Sequence, residues 1–262
     1  MKISLFTSNK SRHNYLINLF SNFCDEVFVI QECGTIFPGI IPGRYSASET
    51  MKKYFEKVNG AQTKLLGNPY VNNSSKNIKV LPILSGDLNK CSLSFLSDFL
   101  KSDIYIVFGS SYIKGELIDY LVKQKAINIH MGVSPYYRGT DCNFWALYDN
   151  NPHLVGATIH MLSKGLDNGP MLYHALSNLK SNPFEYTMST VKSAFHSIVE
   201  RIKDKSIFNI EPMTQDKSKE IRYSKKVEFN EEVIKNYFSK SINLNSKQFN
   251  LSLLKSPYFY SE

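Results

Sequence analysis

Hydrophobic positions along the chain switch repeatedly between a period of two and a period near 3.6, which predicts strands alternating with helices. Lys2 to Ser8 (KISLFTS) alternates into an apolar run and reads as a first strand. The following segment carries Tyr15, Leu16, Leu19 and Phe20 at helical spacing, and Glu26 to Cys33 (EVFVIQEC) reads as a second strand. An insertion from Gly34 to about Asn73 then holds a Pro/Gly-punctuated loop, GTIFPGIIPGRYSA, and a helix capped by Ser48 or Thr50. Asn77 to Leu84 restarts the strands, Leu93 to Leu100 predicts a short helix, and Asp103 to Ser110 (DIYIVFGS) is the nearly continuous apolar run of a strand buried on both faces. A helix over Gly115 to Lys123, strands at Ala126 to His130, at ATIHMLS and at Gly169 to Leu179, and one long helix over Pro183 to Lys203 complete the pattern. Asn182 and Pro183 take the N-cap and N1 places of that last helix. The expectation is an α/β fold over residues 1–205, with a C-terminal extension from Ser206 to Glu262 whose Phe- and Tyr-rich end, SPYFYSE, predicts docking rather than disorder.

One stretch concentrates polar chemistry. Asn128 and His130 stand two residues apart on a strand, so an amide and an imidazole leave one face together. The loop Gly165-Leu166-Asp167-Asn168-Gly169-Pro170 permits a sharp return that brings a carboxylate back toward that imidazole. Donor, base and carboxylate are the parts of an acyl-transfer site.

NIH, then SPYYRG, then TIHMLSKGLDNGP, in this order, resemble the folate-dependent formyltransferases, the group that contains glycinamide ribonucleotide and methionyl-tRNA formyltransferases. The likeness covers roughly Met1 to Lys203. It implies a Rossmann-like, mostly parallel sheet with helices on both faces, with Asn128, His130 and Asp167 catalytic. It also implies 10-formyltetrahydrofolate as the formyl donor, held by backbone groups of Tyr112 and Lys114, with Ile113 lining the pocket and Ser163 and Lys164 nearby. Formyl transfer to an amine passes through an oxyanion, which Asn128 would stabilise. His130 would act as base or as imidazolium donor, and Asp167 would fix its ring. His160, at a position where the family also carries a histidine, is read as structural.

Composition narrows the partners. With 31 Lys and Arg against 23 Asp and Glu, the formal charge of +8 favours anions: nucleic acid, a phosphorylated sugar or nucleotide, or the glutamate tail of a folate. Apolar runs such as Ile104 to Phe108 are strand-length, far below the roughly 20 residues of a membrane span, and MKISLFTS lacks a long apolar leader, so a cytoplasmic protein without membrane contact is expected. Cys24, Cys33, Cys91 and Cys142 form no CxxC pair and no metal-ligand spacing with the six histidines, which predicts reduced packing cysteines and no metal.

Arg12 and His13, after the first strand, and Tyr136, Tyr137 and Arg138, in the loop past His130, are the candidate substrate contacts. For Arg12 a solvated position beside a capping serine competes, and for the two tyrosines packing does. Among the resembled enzymes, the glycine-rich phosphate loop of the glycinamide ribonucleotide group is replaced here by TSNKSRHNY, and the extension has too few alternating strands for the tRNA-gripping barrel of the methionyl-tRNA group. That leaves the sugar N-formyltransferases and predicts a nucleotide-linked 4-amino-4,6-dideoxy sugar as acceptor, without nucleic acid as partner. Those two groups, and a 10-formyltetrahydrofolate hydrolase, stand as alternatives. A basic nucleic-acid-binding protein on an inactive enzyme core is the alternative of another class, and the aromatic tail makes a homodimer an expectation.

Overall fold

The computed structural model describes residues 1–35, 48–72, 74–242, 244 and 250–260. Most of the Pro/Gly loop of the insertion and the last two residues lie outside them. In chain order the elements are β1 (Lys2–Ser8), α1 (Ser11–Ser21), β2 (Glu26–Cys33), α2 (Glu49–Leu66), β3 (Ile78–Leu84), α3 (Leu93–Leu96), β4 (Ile104–Phe108), α4 (Gly115–Lys123), β5 (Ile127–His130), β6 (Tyr137–Gly139), α5 (Cys142–Tyr148), β7 (Ala157–Met161), β8 (Met171–Ser177), α6 (Pro183–Lys203), β9 (Arg222–Ser224), α7 (Glu231–Ser239) and β10 (Tyr258–Tyr260). The chain divides into two compact units.

The first unit gathers the described residues of Met1–Ile40, Leu66–Ile129 and His160–Gly169. Its strands lie in the order β5-β4-β1-β2-β3, every pair parallel. This is the doubly wound arrangement, with the order reversing at β1 and β4, and in such sheets ligands gather at the carboxyl ends of the strands beside that reversal. All five residues of β4 are buried, as its unbroken apolar run requires. On one face Leu117, Ile118 and Leu121 of α4 pack with Phe6, Tyr105, Val107, Leu88 and Leu96 into one cluster. The helix expected over Leu93 to Leu100 is α3 followed by a 3-10 turn, Ser97–Phe99. Ser92 caps α3 by accepting from the Phe95 amide.

The second unit comprises the described residues of Ile41–Leu65, His130–Ile159 and Pro170–Glu262. Its strands run β10-β8-β7, with β8 and β10 parallel, and α6 packs against β8 and buries residues that include Met188, Val191, Phe195, Ile198 and Ile202. Asn182 accepts from the amides of Phe184 and Glu185, and Pro183 takes the first helical place. A second core joins Tyr54 of α2 to Phe144, Phe184, Phe229 and Tyr237, five aromatic rings meeting mostly edge to face. The extension is therefore built into this unit: β9 pairs in parallel with β6, α7 supplies Ile234 and Tyr237 to the core, and β10 extends β8. Ser48 caps the insertion helix α2 through the Met51 amide. Among the described residues no helix is long and apolar enough to cross a membrane.

Candidate active site

In the first unit three motif side chains converge at the carboxyl end of the sheet. Asn128, near the end of β5, sets its amide nitrogen 2.9 Å from His160 Nε2 and 3.4 Å from Asp167 Oδ1. His160 Nε2 stands 3.9 Å from the same carboxylate oxygen, and His160 Nδ1 lies 2.8 Å from the Met161 carbonyl oxygen. A carbonyl only accepts, so Nδ1 carries the proton and Nε2 is left as the acceptor for Asn128. The two hydrogens of the Asn128 amide are thus directed at His160 and Asp167. Of the two bonds, the 3.4 Å one is the weaker and the one a substrate oxygen would displace at least cost.

The GLDNGP loop supplies the carboxylate by an unusual backbone. Asp167 has φ +47, in the left-handed region that Asp tolerates better than most residues. Ser163 Oγ bonds Asn168 Oδ1 at 2.5 Å and the Gly165 carbonyl at 3.2 Å, closing the loop on itself. A side chain at Gly169 would collide with the Met161 carbonyl and approach His160 Nδ1 to 3.1 Å, so this glycine keeps open the space in which His160 is oriented. His160, 1% exposed, is therefore the carboxylate's neighbour as well as a strand residue. Its hydrogen bonds within the sheet, to Asn128 and to the Met161 carbonyl, agree with its reading as a structural residue. The Asp167 carboxylate lies 3.4 Å from the Asn128 amide nitrogen and 3.9 Å from His160 Nε2. Alternation along β7 would not single out His160, because its partners come from a neighbouring strand and a distant loop.

His130, the last residue of β5, belongs to the second unit, where it is 7% exposed with Nε2 3.2 Å from the Tyr137 carbonyl oxygen. A Cβ at Gly132 would come within 2.7 Å of that nitrogen, so the glycine gives the imidazole its room.

The segment after β4 is held by side chains from the end of β2 and from the turn after β3. Buried Glu32 accepts from the Ser111 amide at 2.5 Å, the Ser111 hydroxyl at 2.8 Å and the Gly86 amide at 2.8 Å. The Asn89 carboxamide donates to the Tyr112 carbonyl at 2.8 Å and accepts from the Lys114 amide at 2.7 Å. The Tyr112 hydroxyl reaches the Lys164 carbonyl at 2.5 Å, and Lys164 Nζ pairs with Asp119 at 2.5 Å. These bonds bring Tyr112, Lys114, Ser163 and Lys164 into one neighbourhood. Ile113 differs from its expectation as pocket lining: it is 4% exposed, its side chain drawn into the α4 core cluster.

Candidate substrate contacts fare differently. Arg12 is half-buried in the first turn of α1. His13 is buried, its ring 4.9 Å from that of Phe108 and packed under Gly109, where φ is +67 and a Cβ would lie 2.6 Å from Nε2. Burial and the positive charges of Arg12 and Lys10 hold His13 well below the usual histidine range. It fills the reversal point as packing, which corrects its placement as a substrate contact. In the second unit Tyr136 and Tyr137 are also buried, 7% and 1% exposed, so packing is the reading that applies to them. The Tyr137 hydroxyl accepts from Asn151 at 2.8 Å and lies 3.3 Å from Asp149, which pairs with Arg222 through two 3.0 Å bonds. Arg138, expected at a phosphate or sugar, pairs with Glu220 of the extension at 2.8 Å and lies over the Tyr223 ring. The β6–β9 pairing explains this engagement. A cavity of about 430 Å³ near Lys2, Glu26, Lys79 and Phe99 lies at the opposite, N-terminal end of the strands; Glu26 already pairs there with both lysines.

Residues 98–202 match the formyl transferase family, and the Asn128, His160 and Asp167 side chains lie within that stretch. The resemblance read from the motifs is thereby shown over that stretch. Methionyl-tRNA formyltransferase of Trichodesmium erythraeum is 28% identical over 123 residues, 45% of this chain and 35% of that protein, so the match spans about a third of that relative's length. A sugar N-formyltransferase from Shewanella has a TM-score of 0.54 at 14% identity, over 87% of this chain and 78% of that one. Glycinamide ribonucleotide transformylase 1 from Symbiobacterium toebii has 0.52 at 14% identity, over 82% and 94%. At these identities the two structures establish the fold.

Proposed function

We propose that the chain transfers a formyl group from 10-formyltetrahydrofolate to the amine of a nucleotide-linked 4-amino-4,6-dideoxy sugar, in the cytoplasm and for surface polysaccharide synthesis. The observation that carries the transfer reaction is that His160 and Asp167 both lie within hydrogen-bonding reach of the Asn128 amide, inside the matched family stretch. The folate is a co-substrate that supplies the activated formyl carbon. Asn128 turns an amide N–H to the oxygen that gathers negative charge, and His160 holds that amide by accepting its other hydrogen. Asp167 favours a positively charged amine nearby by its charge. His130, two residues beyond Asn128 on β5, is the candidate for removing the amine's proton. The buried Glu32 and the Tyr112–Lys114 segment, with Lys114 extended, provide a fixed edge of the kind a flat heterocycle needs.

The sugar acceptor is supported by the extension, which enters the second unit through β9, α7 and β10 instead of standing as a barrel of its own. A methionyl-tRNA acceptor is favoured by the curated sequence relative. A panel of UDP-, dTDP- and GDP-linked amino sugars, glycinamide ribonucleotide and methionyl-tRNA, each incubated with the formyl donor and weighed by mass spectrometry, separates them. Gain of one formyl group on an amino sugar is the expected outcome. Gain only on the ribonucleotide or the tRNA reassigns the acceptor, and release of formate without an amine product identifies a hydrolase. Asn128→Ala removes a donor whose loss costs about 2.7 to 4 kcal/mol in comparable sites, a rate decrease of roughly a hundredfold to a thousandfold.

A further inference from the structure

The Asn89 side chain engages the two backbone groups that the proposed function assigns to the folate. Its carboxamide donates to the Tyr112 carbonyl at 2.8 Å and accepts from the Lys114 amide at 2.7 Å. In extended chain, the C=O of one residue and the N–H two residues on point to the same side, as they do in a parallel ladder. Lys114 is extended, with φ −136 and ψ 179. A planar group with a donor and an acceptor side by side completes such an edge. The carboxamide of Asn89 is one such group, and the aminopyrimidinone edge of a pterin is another.

The surroundings make the edge permanent and its occupant replaceable. Ile113, between the two bonding residues, is buried in the α4 cluster, and Glu32 fixes the preceding Ser111 by two bonds. Asn89 sits on a 3-10 turn, Leu88–Lys90, whose backbone is anchored by the fully buried Leu88 while Asn89 itself is exposed. A χ1 rotation into solvent therefore leaves the turn in place. The Lys114 amide has one hydrogen, so it cannot serve Asn89 and a heterocycle at full strength together.

We propose that Asn89 is an internal stand-in for the heterocycle: a side-chain latch on the Tyr112–Lys114 edge that the folate displaces when it binds, and that sets its affinity. This rests on the formyl-transfer reading. Exchanging one pair of hydrogen bonds for another gains less than making a pair afresh, and a net hydrogen bond near 1 kcal/mol corresponds to a factor of about five.

The test compares tetrahydrofolate binding, measured by calorimetry, between the wild-type chain and Asn89→Ala, alongside hydrogen exchange at the Lys114 amide. The expected result is about fivefold tighter binding by Asn89→Ala and a KM for the formyl donor that falls by more than kcat changes. Lys114 is expected to exchange rapidly in the variant and to regain protection when tetrahydrofolate is added. Thermal unfolding of the exposed-site variant verifies its folding, and Asn89→Ser, also too short to span both groups, provides a second chain with the same expected tightening. Binding by all three proteins with equal or lower affinity in the variants overturns the latch and leaves formyl transfer standing. No tetrahydrofolate binding by any of them overturns both.

Discussion

At the scale of single residues, the clearest consequence of burial is at His174. The Lys255 amide donates to its Nδ1 at 2.7 Å, so Nε2 carries the hydrogen that reaches the Ser134 carbonyl at 2.8 Å. Both nitrogens are committed to a neutral ring, and burial lowers its pKa from 6.5 to about 4. The folded chain therefore binds fewer protons here than the unfolded chain between those values, so stability falls as pH drops through that window. The contribution lost by pH 4 is about 3 kcal/mol. His13, also held neutral by burial, acts with the same sign. In His174→Gln the amide can repeat both bonds without titrating. Urea unfolding at pH 7 and pH 4.5 is expected to show a smaller acid loss in this variant than in the wild type, and equal losses would refute the argument. Gly169→Ala belongs to the same scale: its Cβ meets the Met161 carbonyl and crowds His160. It is expected to cost about 1 to 3 kcal/mol in stability, by strain at a packed position. Formyl transfer should fall as well, because the acceptor that orients Asn128 is moved.

At the scale of elements, what the sequence makes legible is what local pattern decides. The apolar run of β4, the cap of α6 and the helical spacing of α4 each depend on neighbours within a turn or a few residues, and they stand within two residues of expectation. The pairing of β6 with β9 joins three-residue strands some 85 positions apart, too short for periodicity to register, and it is what buries Tyr137 and commits Arg138 to Glu220. The site divides in the same way. Asn128 and Asp167 stand out by motif, whereas the roles of His160 and Asn89 come from register and loop approach, which composition does not encode. Glu32 is a further case, since an acidic residue late in an apolar strand reads as a solvent-facing end. Buried at 2% exposure, it ties the loops after β3 and β4 through three hydrogen bonds. Glu32→Gln turns an amide NH₂ toward groups that donate. A loss of about 2 to 3 kcal/mol and faster exchange of the Ser111 amide are expected. Unchanged exchange there would mean that the loop is held by other contacts.

At the scale of the whole molecule, the extension decides how the second unit ends. β10 bonds along β8, the Lys255 carbonyl accepts from the His174 amide at 2.9 Å, and the Tyr258 hydroxyl reaches Glu200 of α6 at 2.6 Å. Removing residues 251–262 would strip β8 of a ladder partner and leave an unpaired strand edge, which favours association. It would also remove the Lys255 donor that keeps His174 Nδ1 an acceptor. Two outcomes are expected: a lower unfolding midpoint with concentration-dependent light scattering, and a reduced effect of His174→Gln in the truncated chain. The second is the sharper one, because substitutions that act through a shared hydrogen bond are not additive, whereas independent ones add within about 0.5 kcal/mol. A double-mutant cycle between the truncation and His174→Gln, measured by urea unfolding at pH 4.5, reads that coupling directly. Additive losses would show that the tail and His174 stabilise the unit separately. A clear coupling would mean that the strand closing the sheet also sets the protonation of the residue that holds Ser134 at the head of the SPYYRG segment.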